Sequence, residues 1–271
     1  IRRRSFTMCI LALYFQVIRD CPLLVAANRD EFVHRPSAPP DVLCAAPWVF
    51  GGKDLQAGGT WLGINGSGMF AGILNRRSGD KRGKTGKRSR GLLCLDLLKG
   101  REPGEAVEIL KRERGGLYDP FNLVFANTSE AYVAHNNGED IECLNLAAGV
   151  HVVGNVSLYD PPGAKNGRAL ELFTAALNSM TGVSVTPAQV DPLAAVRRLR
   201  GVLSDHGLDK AMDNPREAIC VHRGEYGTVS SSVLLHRQGA EAFDYFHAAG
   251  PPCRNDYERC PAVAAQGSEV D

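Results

Sequence analysis

The sequence predicts an α+β fold in which helices cover layered sheets. Short extended segments separated by turn residues occur in three blocks along the chain, and two pairs of segments with helical spacing separate those blocks. Helices grouped in this way need a sheet face to cover, and each sheet needs a further layer to bury its other face. With 271 residues, of which 44% are hydrophobic, the chain is long enough to bury one large core.

The predicted elements follow in chain order. Residues 8–15 form an apolar run that turns at Asp20-Cys21-Pro22 and returns as residues 23–28, the pattern of a hairpin. The proline-rich segment with Arg35-Pro36 and Pro39-Pro40 predicts a loop. Further strands are predicted at 61–65, 69–74, 121–126, 131–135, 140–144, 150–153, 218–222 and 230–235. Helices are predicted at 91–99, 103–114, 167–177 and 192–206. We expect the domain to span residues 8–250 and a C-terminal tail to span 251–271.

Charge and composition argue against several functional classes. The 31 Lys and Arg residues nearly balance 30 Asp and Glu, which leaves no overall field to attract nucleic acid or an anionic membrane. No apolar run approaches the roughly 20 residues that span a bilayer, and no signal peptide is recognisable. The eight cysteines include no Cys-x-x-Cys pair, which argues against zinc-finger or thioredoxin chemistry. We therefore expect a cytoplasmic protein with no cofactor, no metal, no nucleic-acid partner and no stable membrane insertion.

Met8-Cys9 suggests a start within the sequence. Residues 1–7 would then be an upstream extension or a cloning remnant, and removal of Met8 would make Cys9 the first residue. An α-amine with a pKa of about 7.7–8.0 can accept the proton of the thiol that shares its residue. The same nitrogen is not basic within a peptide bond. While residues 1–8 precede Cys9, the thiol would therefore lack this base and would be inactive as a nucleophile. The alternative is that Cys9 is an ordinary buried thiol.

Four polar residues, Asn28-Arg29-Asp30-Glu31, end the second predicted strand. Strand alternation directs Asn28 and Asp30 to one face and Arg29 and Glu31 to the other. Because this strand pairs with the one that follows Cys9, we expect the cluster within reach of the thiol. Arg29 would then lower the thiol pKa, because a nearby positive charge favours the thiolate. A purely structural ion pair is the alternative.

Other candidate residues end strands or line a charged segment. Asn75 and Asn155 each follow a predicted strand, where a carboxamide can donate to a developing oxyanion or simply shape a turn. Residues 76–91 contain eight basic residues and one acidic residue, which indicates either a solvated loop or an anion-attracting lip beside Asn75. His222 could orient a substrate, bind iron or be an ordinary core histidine.

Several short motifs occur in a fixed order: Met8-Cys9, Asn28-Arg29-Asp30-Glu31, Gly58-Gly59-Thr60-Trp61-Leu62-Gly63, Asn75, Ser89-Arg90-Gly91, Phe121-Asn122-Leu123, Gly154-Asn155 and Tyr226-Gly227-Thr228. In this order they resemble the NRDE proteins, the family of transport and Golgi organisation protein 2, across residues 8–246. Cys9, Asn75 and Asn155 are also similar to the nucleophile and two oxyanion donors of the cholylglycine hydrolase and penicillin V acylase group.

The resemblance implies a four-layer αββα sandwich of the N-terminal nucleophile hydrolase type, with Cys9 at the open edge of the central sheets. On this basis the expected catalytic residues are Cys9, Arg29, Asp30, Asn75 and Asn155. The expected substrate contacts are Asn28, Glu31, Trp61, His222 and Thr228.

Two functions follow from the sequence. One is a cysteine amidohydrolase that cleaves the C–N bond of a small acyl-amide. The other is a non-catalytic carrier or chaperone for haem or an acyl lipid, which the resemblance to eukaryotic relatives implies. In both cases the expected partner is a small amphipathic or acyl-amide ligand, and in the second case it includes haem.

Overall fold

The computed structural model describes residues 9–76, 87–156, 164–181, 190–207 and 218–261. The predicted extension, Met8, most of the basic segment and the end of the tail lie outside these ranges. The strands are β1 (Ile10–Phe15), β2 (Leu23–Phe32), β3 (Ser37–Ala45), β4 (Trp48–Asp54), β5 (Leu62–Asn65), β6 (Phe70–Asn75), β7 (Phe121–Ala126), β8 (Ala131–Asn136), β9 (Ile141–Asn145), β10 (Gly149–Val153), β11 (His222–Arg223), β12 (Tyr226–His236), β13 (Asp244–Ala248) and β14 (Glu258–Arg259). The helices are α1 (Arg90–Leu98), α2 (Pro103–Arg112), α3 (Ala164–Thr181) and α4 (Pro192–Leu203).

The strands form two antiparallel sheets. The first sheet has the order β10-β1-β2-β12-β13-β14, and β11 pairs with β12. The second sheet runs from β3 to β9 in sequence order. The predicted N-terminal hairpin is confirmed, with Ile10 opposite Asn28 and Phe15 opposite Leu23.

Three apolar cores separate four layers. β1 is buried along its whole length because its alternate residues enter different cores. Leu13 packs in the core between the two sheets, whereas Tyr14 packs with Phe173 and Leu199 under α3 and α4. A third core lies between the second sheet and α1 and α2 and contains Leu97. The predicted four-layer αββα sandwich is confirmed.

Some element boundaries differ from the sequence prediction. The predicted proline-rich loop is wrong over residues 37–45, because this segment is β3. β3 pairs only with β4 and shifts register twice, and such an edge strand tolerates proline. The prediction of a strand over 218–222 is also wrong for its first four residues, because pairing begins at His222. β4, β13 and β14 were not predicted. None of the helices in the described ranges combines the length and apolar character needed to cross a membrane.

Candidate functional site

The thiol of Cys9 is held against the end of β2. Cys9 is half-buried and directly precedes β1. Its Sγ accepts a hydrogen bond from the backbone N–H of Asp30 at 3.2 Å and donates to the carbonyl of the same residue at 3.3 Å. The hairpin therefore brings the thiol to the Asn28-Arg29-Asp30-Glu31 cluster, as the sequence predicted.

Cys9 opens into a pocket of about 420 Å³ between the sheets, a size typical of small-molecule sites. The first sheet contributes Cys9, Arg29 and Glu31, and the second contributes Ile73 and Asn75. The other lining residues are Asp30, Phe32, Arg35, Asp54, Ala57, Thr60, Trp61, Lys87, Arg88, Ser89, Arg90, Gly91 and Asp119. The lining of the pocket therefore comes from both sheets.

Arg29 lies across the gap between the sheets. Its guanidinium carbon lies 4.2 Å from the centre of the Trp61 ring, in cation–π contact. Its Nη2 lies 3.9 Å from Oδ2 of Asp54. The Trp61 ring has room because residue 52 is glycine, where a Cβ would lie 2.2 Å from the ring. Burial lowers the pKa of Arg29, but an arginine stays charged near neutral pH.

The environment of Cys9 disfavours the thiolate while its nitrogen is in a peptide bond. Burial, with a further contribution from the Asp30 carboxylate, raises the pKa of Cys9 to about 12. The hydrogen bond from the Asp30 backbone and the charge of Arg29 act in the opposite direction, but they do not outweigh burial. The thiol is therefore neutral near pH 7 in this form of the chain.

The side chain of Asp30 contacts the helix layer behind the sheet. It accepts a hydrogen bond from Oγ1 of Thr228 at 2.6 Å, and its other oxygen lies 3.8 Å from Nζ of Lys165 on α3. Burial raises the pKa of Asp30 to about 6, although Lys165 and Thr228 oppose the rise. Thr228, a predicted substrate contact, thus binds a buried carboxylate.

Asn28 has the same orientation as Asp30, which confirms the predicted alternation. Its Nδ2 donates to the carbonyls of Leu203 and Ile219 at 2.9 and 3.1 Å. Its Oδ1 accepts from Ser231 at 2.6 Å. These contacts fix β2 to the end of α4, so the Asn28 amide is already engaged by protein groups. Glu31, on the opposite face, lines the pocket.

The two predicted oxyanion donors occupy different positions. Asn75, at the end of β6, is half-buried and lines the pocket. Asn155 is buried, and its Nδ2 donates to the backbone carbonyl of Asn75. The structure brings the two residues together, with Asn155 bonded to the Asn75 backbone.

Asn122 is a positioning residue, a role that was not predicted for its motif Phe121-Asn122-Leu123. It is fully buried on β7 and donates to the carbonyls of Gly154 and Val156 at 2.8 and 2.9 Å. Its Oδ1 lies 2.7 Å from Nδ1 of His135. Asn122 therefore holds the segment that carries Asn155. The sequence does carry a signal for such a role, because an asparagine within the apolar run Phe121-Asn122-Leu123 would be buried and would need hydrogen-bond partners.

The rim of the pocket carries a small excess of positive charge. Of the lining residues, five are basic (Arg29, Arg35, Lys87, Arg88, Arg90) and four are acidic (Asp30, Glu31, Asp54, Asp119). Arg35 pairs with Asp54 at 2.8 Å, and Lys87 pairs with Asp119 at 3.0 Å. Lys87, Arg88 and Arg90, which belong to the predicted basic segment 76–91, thus line the pocket, whereas residues 77–86 lie outside the described ranges. Sequence reasoning missed Arg35, Asp54 and Asp119.

His222 is not among the residues that line the Cys9 pocket. It lies in a separate groove of about 660 Å³ that also includes Thr228 and Arg254. Its Nε2 lies 3.2 Å from Sγ of Cys253 and 3.5 Å from Sγ of Cys220. The structure therefore places His222 with Thr228 in this groove, apart from Cys9, Arg29 and Asn75.

Comparison with known families extends this description. The family described as "Transport and Golgi organisation 2" matches residues 8–246 of the chain. The chain belongs to the transport and Golgi organisation 2 family. Among curated members, the *Bos taurus* homologue is 29% identical over 229 residues, which cover 79% of this chain and 81% of the relative. The *Homo sapiens* homologue is 27% identical over 229 residues, with the same coverage.

Solved structures show that this family member has the N-terminal nucleophile hydrolase fold. Penicillin V acylase from *Agrobacterium tumefaciens* superimposes with a TM-score of 0.53 and 14% identity, over 89% of this chain and 83% of the acylase. A mutant of the conjugated bile acid hydrolase from *Clostridium perfringens* gives a TM-score of 0.55 and 12% identity, over 93% and 96%. At these identities the likeness concerns the fold alone.

Proposed function

We propose that this family member is a cysteine amidohydrolase of the N-terminal nucleophile type, active when the chain begins at Cys9. The observation that carries the proposal is the position of the Cys9 thiol at the wall of a 420 Å³ pocket that Asn75 and Arg29 also line. A thiol at the wall of a ligand-sized pocket, beside a carboxamide and a cation, is an arrangement suited to acyl transfer.

The reaction follows from the groups present. The α-amine of Cys9 accepts the thiol proton while Sγ attacks the amide carbonyl, so that an S–C bond forms. The negative charge on the carbonyl oxygen is stabilised by the carboxamide of Asn75. The C–N bond then breaks as the ammonium group returns its proton to the leaving amine. Water then attacks the thioester while the same amine accepts a proton from it, so that a C–O bond forms. The S–C bond breaks, the acid leaves, and the ammonium group returns the proton to the sulfur.

In this proposal the neighbouring residues have distinct roles. Arg29 supplies positive charge beside the sulfur, and Asn155 holds the backbone of Asn75. The cationic rim favours an acyl-amide that carries a carboxylate or another anionic group. The apolar part of the substrate would pack against Trp61 and Ile73, which line the same pocket.

The test compares two forms of the protein, one beginning at Cys9 and one retaining residues 1–8. Each is assayed against a panel of acyl-amides with and without a carboxylate, and intact mass identifies the first residue. We expect turnover only from the form that begins at Cys9. We also expect iodoacetamide to alkylate Cys9 rapidly at pH 7.5 in that form only. In the form that retains residues 1–8, burial raises the pKa of the thiol to about 12.

Two cysteine variants serve as a matched pair. Cys9→Ala should abolish turnover, whereas Cys44→Ala, which changes another half-buried thiol on β3, should retain it. Equal turnover by Cys9→Ala and the parent would refute the enzymatic proposal. So would the absence of turnover from the form that begins at Cys9.

One observation favours a carrier as the second candidate. While residues 1–8 remain attached, the raised thiol pKa makes Cys9 unreactive, yet the pocket and its cationic rim are still formed. An amphipathic anion, such as haem with its propionates or an acyl-CoA, suits such a pocket. Titration of the attached form with haem and with an acyl-CoA should give saturable binding that Arg29→Gln weakens. No saturation with either ligand would rule out this role.

A further inference from the structure

Four metal-binding side chains lie together away from the Cys9 pocket. The ligand atoms of His206, Cys220, His222 and Cys253 all lie within 4.8 Å of one another. The Sγ atoms of Cys220 and Cys253 are 3.6 Å apart. Nε2 of His222 lies 3.5 Å from the first sulfur and 3.2 Å from the second. None of the four residues lines the Cys9 pocket.

These separations match a tetrahedral coordination sphere. Zinc binds thiolate sulfur at about 2.3 Å and imidazole nitrogen at about 2.0–2.1 Å, so neighbouring ligands of a regular tetrahedron are about 3.3–3.8 Å apart. In such a sphere two sulfurs are about 3.8 Å apart, and a sulfur and a nitrogen are about 3.5–3.6 Å apart. The sulfurs of Cys220 and Cys253 are 3.6 Å apart, and Nε2 of His222 lies 3.5 and 3.2 Å from them, so the three ligands agree with these spacings to within about 0.4 Å. The ligand atom of His206 lies within 4.8 Å of the other three, so a shift of about 1 Å would bring it to the fourth position.

Backbone hydrogen bonds hold the segments that carry these residues. The carbonyl of Asp205 accepts from the N–H groups of Ile219 and Cys220 at 3.0 and 2.8 Å, which places His206 beside Cys220. The carbonyl of Pro251 accepts from the N–H groups of Arg254 and Asn255 at 3.0 and 3.1 Å, which shapes the turn around Cys253. These bonds hold the ligand-bearing segments together and so reduce the cost of ordering the ligands.

A further bond links this turn to the helix layer. Nε of Arg200 on α4 donates to the carbonyl of Pro252 at 3.0 Å. The end of α4, the start of β11 and the turn after β13 are thus already in contact where the four ligands meet.

We propose that His206, Cys220, His222 and Cys253 bind one Zn²⁺ ion, in a site separate from the Cys9 pocket. Each thiol releases its proton to solvent as it binds, so two thiolates neutralise the charge of the ion. Mixed thiolate and imidazole ligands in tetrahedral geometry are typical of zinc. With four protein ligands the site is structural, and it ties the segment after α4 to β11 and the turn after β13.

The test uses Co²⁺ as a spectroscopic probe for the zinc site. The full chain is reduced, freed of metal and titrated with Co²⁺ in the absence of oxygen. We expect saturation at one ion per chain, with the visible absorption bands and sulfur charge-transfer bands of tetrahedral cobalt. Zn²⁺ should displace the cobalt and bleach the spectrum. It should also raise the Tm of the parent in a concentration-dependent way.

Variants locate the site. Cys220→Ser and Cys253→Ser should each remove the sulfur charge-transfer bands or reduce their intensity by about half, with affinity at least about tenfold lower. His206→Asn changes an exposed side chain, so the variant should fold, and it should also bind more weakly by about tenfold or more. Cys44→Ser and Cys9→Ala are the controls and should match the parent in cobalt affinity and in the cobalt spectrum.

Several results would overturn the proposal. The first is the absence of a saturable cobalt spectrum in the reduced parent. The second is a spectrum that persists unchanged in both Cys220→Ser and Cys253→Ser. The third is a spectrum that disappears in Cys9→Ala, which would assign the ion to the other pocket.

Discussion

Arg29 and Asp30 are adjacent in sequence but have different environments. Arg29 points between the sheets, where its charge meets Trp61 and the pocket. The side chain of Asp30 points to the helix layer, where Thr228 and Lys165 contact it. Strand alternation is the reason, because successive residues of β2 face opposite layers of the sandwich. Arg29 and Asp30 are therefore neighbours in sequence whose side chains lie on opposite sides of the first sheet.

Asp30→Asn should change how stability depends on pH. Burial raises the pKa of Asp30 from 3.8 to about 6, so the folded state holds a proton that the unfolded state releases. The contribution of Asp30 to stability is therefore present below pH 4 and is lost as the pH rises through 6. Urea unfolding should show the variant gaining up to about 3 kcal/mol relative to the parent between pH 4 and pH 7.

Asp54→Asn is the matched comparison because its pKa is shifted in the opposite direction. Burial pushes the pKa of Asp54 upward, but hydrogen bonds from Arg35 and the backbone outweigh it and hold the pKa below 3.8. Its contribution to stability is therefore present above pH 4 and is lost as the pH falls. Parallel pH profiles for Asp30→Asn and the parent would contradict the assignment for Asp30.

Among the elements, α1 is positioned by contact between two glycines. A Cβ at Gly59 would lie 2.1 Å from the carbonyl carbon of Gly91 and 2.3 Å from the nitrogen of Leu92. The N–H of Thr60 donates to the carbonyl of Gly91 at 3.0 Å. The start of α1 thus packs directly against the segment that carries Trp61, and this contact sets one side of the pocket.

Gly59→Ala should destabilise the fold and disturb the pocket. The added methyl group meets backbone atoms, which have no rotamer to change, so we expect a loss of about 1–3 kcal/mol in urea unfolding. Turnover or ligand binding at the Cys9 pocket should fall as well. In contrast, Gly167→Ala in α3 meets no atom within 4 Å, and it should stabilise the helix by about 0.5–1 kcal/mol. Equal stability of the two variants would contradict this account.

At the scale of the whole molecule, the pocket exists because two sheets face each other. Cys9 and Arg29 come with the first sheet, whereas Ile73 and Asn75 come with the second. The contact between Arg29 and Trp61 links these two halves at the site. The pocket should therefore respond to changes that alter how the sheets are joined.

A double-mutant cycle measures this link. Arg29→Gln and Trp61→Leu should show a coupling of about 0.5–2 kcal/mol in the free energy of unfolding, because each removes the same cation–π contact. Arg29→Gln and Trp48→Leu form the control cycle, since Trp48 stacks on Phe50 elsewhere on the second sheet. That cycle should be additive within about 0.5 kcal/mol. Additivity in both cycles would show that Arg29 and Trp61 do not join the sheets.

Local pattern predicted much of the fold. Apolar runs between turn residues located β1, β2, β7 and β8, because a strand buried on both faces needs apolar residues throughout. The same reasoning failed for β3, where Pro39 and Pro40 indicated a loop, since the sequence does not show which strands lie at an edge.

The sequence by itself determined the helices, most of the strands other than β3, β4, β13 and β14, the alternation within β2 and the nearness of Cys9 to Asp30, because these depend on local pattern and on one hairpin. Only the tertiary structure decided which groups meet across layers. It bonded Asn155 to the backbone of Asn75, placed Asn122 behind them and separated His222 from the pocket.

The proposed zinc ligands also come together only in the tertiary structure, and no Cys-x-x-Cys spacing in the sequence indicates them. His206, Cys220, His222 and Cys253 come from three segments that meet only when α4 packs on the first sheet and β13 returns beside β12. Contacts of this kind depend on the closure of long loops and on packing between layers, which local periodicity does not encode.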